Sequence, residues 1–359
     1  MRKAISFGII LMALICLSAF NCLAQEAKIM ELSLAKSIEM SLQNNLELKQ
    51  ASYNLNLRET EYEEAKANNL LNTSIISLKS AELNLKKAKD AFEEKKKQLI
   101  FEEVPNKYFE VLKCQEKVKI EQISVEQAKE NLQIIKNKFS LGDANELDVM
   151  QAEVGLSLAQ LSLTQAENDL TTAKMNFNYV IGFPLDTPIK LTDSFSLEPL
   201  QITLEESIKK ALQNRYEISQ AQDEVELAKL KLSLKQNEYT SEIERKKAEI
   251  ELKEKQAKLE QLKQEIPLEV TTSFLELKEK EKNVEISKKQ EKEKEESYRI
   301  AQVQYKTGLI TATSLLDSQI DLTQAKINAL EALFSYNLAK NKFLKSLGGE
   351  IKESEKRSR

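Results

Sequence analysis

The chain has 359 residues, 31% of them charged, with 53 basic against 57 acidic side chains and a formal charge of −4. That balance offers no clustered basic surface of the kind nucleic acid needs. Histidine and tryptophan are absent, so neither a His-ligated metal nor a His general base can exist here.

The first element is an export signal over residues 1–24. Arg2 and Lys3 are its positive end, an apolar run from Ala4 to Phe20 follows, and Cys22-Leu23-Ala24 sets small residues at the cleavage positions before Gln25. A retained membrane anchor is the alternative, but the run is at the short end for a span of about 20 residues. A lipoprotein reading would make Cys22 the mature N-terminus, and Ala19-Phe20-Asn21 is a poor lipobox. Cleavage before Gln25 removes Cys16 and Cys22, leaves Cys114 alone without a disulfide partner, and takes the charge from −4 to −6.

After the signal the chain repeats itself. Ser37-Ile38 and Leu42-Gln43-Asn44 recur as Ser207-Ile208 and Leu212-Gln213-Asn214, an offset of 170. Tyr108-Phe109-Glu110-Val111 answers to Phe274-Leu275-Glu276-Leu277 at an offset of 166, as do Phe139 with Tyr305, Gly142 with Gly308, Phe177 with Phe343 and Gly182 with Gly348. One copy has therefore lost about a helical turn between these blocks. Repeats this long mean two structural copies of one unit: a first repeat over 25–192, a linker over 193–200, a second repeat over 201–349 and a charged tail over 350–359.

Glycine and proline are scarce, seven and five in all, and the stretches between them are rich in Ala, Leu, Glu, Lys and Gln, which predicts long helices. In copy one, Ala152, Leu156, Ala159, Leu163, Ala166, Leu170, Ala173, Phe177 and Val180 alternate at spacings of four and three, and Ser318 to Ser346 repeat the pattern in copy two. That period is a left-handed coiled-coil seam. Val111, Cys114, Val118, Val125, Ala128, Leu132, Ile135 and Phe139 carry it before the turn, broken by Glu121. A second stripe, Val154, Leu158 and Leu161, predicts a helix that packs on two sides, as in a wall of helices.

The helices reverse at Leu141-Gly142-Asp143 and at Thr307-Gly308-Leu309, each glycine reading as a left-handed residue just past a helix end. A continuous helix over 76–140 would be about 95 Å long at 1.5 Å per residue. A tube or a tether needs that length; a globular enzyme does not. No GxGxxG, GxSxG or CxxC motif occurs, nothing calls for a cofactor, and Cys114 reads as a core residue on the seam.

These blocks resemble the TolC family of outer-membrane efflux proteins. The resemblance runs from Leu32 to Gly348. It is carried by Leu34–Asn45 and Leu204–Asn214 opening the copies, by the Tyr108 and Phe274 blocks, by the two glycine turns, and by the closing Ile181-Gly182 and Leu347-Gly348. It implies an all-α protomer of two tandem helical hairpins, three of which form a tapered tube. It also implies that Leu141, Gly142, Asp143, Thr307, Gly308 and Leu309 dock a periplasmic adaptor (membrane-fusion) protein working with an inner-membrane pump. By the same resemblance Asp148 and Tyr305 form a pair that helps hold the tip shut, and Asp317 belongs to a pore-closing ring. Ser314 and Ile310 stand where the family pattern has an aspartate and an arginine, which thins that gate. The plain alternative for Asp148, Tyr305 and Asp317 is that they cap or solvate a helix start.

Family members also insert a pair of β-strands between the first and second helices of each copy, which together close a membrane barrel. Membrane strands need about 9–11 alternating residues. Here Asn68–Ser74 and Gln236–Ser241 are too short, so a helical turn is expected to replace each pair. The functional expectation is a trimeric efflux or secretion channel component of the cell envelope. The alternatives are an exported helical tether without channel activity and, less in keeping with the absent glycine-rich β segments, a periplasmic adaptor.

Overall fold

A computed structural model describes residues 29–71, 74–195, 197–237 and 239–349; the signal segment 1–24 and the tail 350–359 lie outside the described residues. Strand β1 (Met30–Leu32) leads into α1 (Leu34–Asn44), α2 (Leu46–Leu71) and α3 (Ile75–Gln98). A π-helical segment, Leu99–Glu103, joins α3 to α4 (Val104–Leu141), and α5 (Glu146–Ile181) returns from the turn. Strand β2 (Ile189–Leu191) then pairs in parallel with β1, Met30 opposite Ile189 and Leu32 opposite Leu191. Copy two follows as α6 (Leu204–Asn214), α7 (Tyr216–Leu234), α8 (Glu242–Lys306) and α9 (Ala312–Ser346). The all-α tandem-hairpin architecture is as the repeat predicts, the two three-residue strands being a small addition.

Local chemistry fixes the element ends. Ser33 and Thr203, 170 residues apart, cap α1 and α6 through the backbone N–H groups of Lys36 and Glu206. The run from Ile75 to Leu141 is continuously helical and about 100 Å long, but its π segment is not foreseen by periodicity. Pro105 follows that segment. Proline has no N–H to donate, and its ring collides with the carbonyl four residues back in a regular α-helix. The wider π turn before it carries one inserted residue.

That inserted residue completes the repeat arithmetic. α7 has 19 residues against 26 in α2, while the segment after it, 235–241, is four residues longer than the segment 72–74. The net loss of three, with the extra residue of the π segment in copy one, accounts for the fall in offset from 170 to 166.

The recurring landmarks touch. Gly182 sits at φ 80°, and a Cβ there would lie 2.7 Å from the Asn44 Cβ; Gly348 sits at φ 88°, where a Cβ would lie 3.0 Å from the Asn214 Cβ. Ser41 Oγ and Asn45 Nδ2 both donate to the Val180 carbonyl, at 3.1 and 3.2 Å. The opening block of each copy thus seats the end of its closing helix, where the last carbonyls have no partner of their own.

Each copy has its own core beyond these contacts. Leu32, Val104, Tyr108, Val111, Phe177 and Ile181 centre copy one; Ala211, Val270, Leu277, Tyr336 and Phe343 centre copy two. A third core, nearer the glycine turns, draws Ile135 and Ala152 from copy one and Tyr298, Tyr305, Leu315 and Leu322 from copy two. The π segment is a joint between copies, with Ile100 and Phe101 packed on Leu344. Residues 193–195 and 197–200 are irregular yet tied to both. The Tyr108 hydroxyl lies 2.9 Å from Asp193 Oδ2 and 3.1 Å from the Leu32 carbonyl, and Glu198 O accepts from Tyr336 at 2.6 Å and Lys340 at 3.0 Å.

At the end opposite the glycine turns, α2 is followed by α3 and α7 by α8, with no strand among the described residues there. α2 stays helical through Leu71, so the first turn is shorter than Asn68–Ser74. α3 meets α7 through ion pairs of Lys86 with Asp223 and Lys87 with Glu224. No helix among the described residues is long and apolar enough to cross a membrane.

Candidate functional site

The two glycine turns lie side by side at one end of the molecule. α4 ends in Gly142 at φ 84°, with Gly142 N donating to Phe139 O at 3.0 Å and Asp143 N to Lys138 O at 2.9 Å. α8 closes the same way: Gly308 is at φ 80°, its N–H reaches Tyr305 O at 3.1 Å, and Leu309 N reaches Gln304 O at 2.8 Å. This paired bonding is what a left-handed residue after a helix end supplies. Among the described residues nothing lies within 4 Å of where a Cβ would be on either glycine. Leu141 and Leu309 crown them, 77% and 75% exposed, beside exposed Asp143 and Thr307. Thr307 keeps its hydroxyl on the Val303 and Gln304 carbonyls.

Below the tips, copy one is fastened to copy two. The Lys138 ammonium donates to the Tyr305 carbonyl and stands 4.3 Å from the Tyr305 ring centroid, a cation–π contact. Thr313 donates to Gln151 Oε1 at 3.0 Å across the starts of α9 and α5. Tyr305 is buried, and burial first, then the charge of Asp148, pushes its phenol up. Asp148 also sits in the capping box of α5: Asn145 N donates to its carboxylate at 3.0 Å and its own N–H reaches Asn145 Oδ1 at 2.9 Å. Asp148 and Tyr305 share no hydrogen bond among the described residues. Asp317 is exposed on α9, Ser314 takes part in the Thr311 cap, and Ile310 packs against the core nearest the tips. Lys138 and Gln151 are the tip residues that the sequence reading misses; a lysine four residues before a helix-ending glycine carries no signal distinct from a solvated side chain.

The expected two-sided packing of α5 has one side filled. Ala152, Ala166, Ala173 and Phe177 are buried within the chain, while Val154, Leu158 and Leu161 remain exposed. In α9 the buried position is Gln319 rather than Ser318, a shift of one residue, and Phe139 is exposed. An open hollow of about 280 Å³ between α4, α5 and α9 is walled by Glu110, Lys113, Lys117, Asp169 and Glu331; its lysines are engaged, Lys117 with Asp169 at 3.2 Å and Lys113 over the Phe334 ring. Among the described residues no group of Cys, Asp and Glu is placed to hold a metal ion.

Comparison with known proteins agrees with this architecture. The family model described as outer membrane efflux protein matches residues 76–182 and 240–349. The fold is similar to the Campylobacter jejuni CmeC outer membrane channel, at 13% identity over 90% of this chain and 88% of that one, with a TM-score of 0.75. The outer-membrane channel OprN is similar at 15% identity over 88% and 90%, TM-score 0.72. The open state of the Neisseria gonorrhoeae MtrE outer membrane channel is similar at 17% identity over 88% and 89%, TM-score 0.65. No curated protein sequence matches the chain.

Proposed function

Because the chain belongs to the outer membrane efflux protein family, a family of the cell envelope, we propose that three copies form the helical tube of an efflux or secretion assembly. Its glycine tips dock a periplasmic adaptor, which couples the tube to an inner-membrane pump. The observation that carries this reading is the pair of exposed tips, Leu141-Gly142-Asp143 and Thr307-Gly308-Leu309, joined just below by Lys138 on Tyr305. The open stripe of Val154, Leu158 and Leu161 supports assembly, since one apolar face of α5 has no cover among the described residues. At the pore, Asp148 and Tyr305 restrain the tip and Asp317 contributes charge.

A photo-crosslinking residue at Leu141 or Leu309 tests the docking. Adducts with a periplasmic protein bearing a long helical hairpin are expected from these positions and not from Tyr239, at the opposite end. Adducts from Tyr239 alone, or from neither end, would remove the adaptor from the account. A second reading, a helical tether of the envelope that conducts nothing, is favoured by one observation: only three residues separate Leu71 from Ile75, and seven separate Leu234 from Glu242, where membrane strands would leave the helices.

A further inference from the structure

A buried layer of amide and hydroxyl groups interrupts the apolar seam between the copies. Asn131 of α4 is fully buried, and its Nδ2 donates to Gln319 Oε1 of α9 at 2.6 Å and lies 3.2 Å from the Tyr298 hydroxyl of α8. Gln319, also buried, donates through Nε2 to the Ser124 carbonyl of α4 at 3.0 Å. Thr323 Oγ1 adds contacts of 3.3 Å to Ser124 Oγ and 3.1 Å to the Gln319 carbonyl. Three helices, one from copy one and two from copy two, therefore share one connected network.

The repeat shows that this network has a direction. At the offset of 166, Ser124 and Asn131 answer to Gln290 and Ser297, both exposed on α8, while Tyr298 and Gln319 answer to Leu132 and Glu153. Leu132 has no hydroxyl to give, and Glu153 is exposed and paired with Lys136 at 2.8 Å. Copy one set against another copy one would thus bury Asn131 opposite a leucine and a carboxylate. A buried amide without a partner costs about 1–3 kcal/mol, and a polar residue at a seam position is a known means of choosing among helix partners that are otherwise equally apolar.

We infer that Asn131, Tyr298 and Gln319, with Ser124 and Thr323, form a pairing lock through which the copy-one face of α4 accepts copy two and rejects a second copy one. A tandem repeat needs such a device because its halves offer nearly the same apolar seam to any long helix. The lock contributes choice of partner rather than bulk stability, since apolar side chains of similar size would fill the layer at least as well.

The test uses the chain from Gln25 with Cys114→Ala and two reporters, Ser124→Cys and Thr323→Cys, whose native oxygens are 3.3 Å apart. Oxidation is expected to link them almost wholly within one chain. Adding Asn131→Leu and Gln319→Leu is expected to leave the helical signal intact, cut the intrachain link roughly threefold, and bring up links between chains. Tyr298→Phe, which removes one hydroxyl, should shift the ratio the same way by less. An unchanged ratio in the double variant overturns the inference. So does loss of its helical signal, which would make the layer an element of stability instead.

Discussion

Alanine at Gly182 and at Gly142 separates two costs that the structure sets apart. Both glycines are left-handed, at φ 80° and 84°. A side chain at such a φ costs about 1–2 kcal/mol through contact of Cβ with the following carbonyl. At Gly142 that is the whole penalty, because nothing lies within 4 Å of the new Cβ. At Gly182 the Cβ would also meet the Asn44 Cβ at 2.7 Å and its carbonyl carbon and oxygen at 3.0 Å, backbone that cannot swing aside as a side-chain tip can. Overpacking of this kind adds about 1–3 kcal/mol. Unfolding entropy grows with chain length, so each kcal/mol moves the thermal midpoint of a chain this long by roughly 1–2 °C. Gly142→Ala should then lower the midpoint by about 1–4 °C and Gly182→Ala by about 2–10 °C, read side by side by circular dichroism. Equal shifts for the two variants would refute the claim that the opening and closing blocks are pressed together.

Further outcomes follow from other contacts. Tyr108→Phe loses the hydroxyl shared by Asp193 and the Leu32 carbonyl, and should cost about 1–2 kcal/mol and expose segment 193–200 to limited proteolysis. Glu121 is buried in the α4 seam, and burial holds its carboxyl above the usual carboxylate range. The folded chain therefore binds that proton more readily than the unfolded chain. The group's contribution is fully favourable below the unfolded value of 4.5 and is lost as pH rises through the raised folded value. Glu121→Gln should accordingly raise the melting midpoint at neutral pH, with the gain vanishing in acid; a gain that persists in acid would contradict the sign. Leu158→Glu with Leu161→Glu alters only exposed positions, so helical content should hold while sedimentation shows loss of assembly. An unchanged assembly would place the interface elsewhere.

Much of this fold is legible in the sequence because its rules are local. A glycine between two breaker-free periodic stretches has few roles besides a left-handed helix end, and Gly142 and Gly308 are found in that state. The Leu-Gln-Asn blocks and the closing glycines recur visibly, yet that they press on each other is a tertiary fact with no pattern of its own. The π segment leaves a trace only in retrospect, as one surplus residue near Pro105. Asn131 and Gln319 escape notice because an amide beside an apolar seam reads as solvated; Gln319 displaces Ser318 from the core by one position, within the drift of a helix of 3.6 residues per turn against a repeat of 3.5. At the tips the sequence places the turns, but not the Lys138–Tyr305 contact that joins them, since residues 167 apart meet only once both copies have folded.

The most direct test of the central claim is the mass of the chain from Gln25 to Arg359, measured in plain buffer and again in detergent. Three chains associated in buffer alone are the expected result, because helices run to within a few residues of each other at the end where strands would insert. A monomer in both conditions would contradict the tube and leave the tether; a trimer that forms only in detergent would contradict the reading of the two turns.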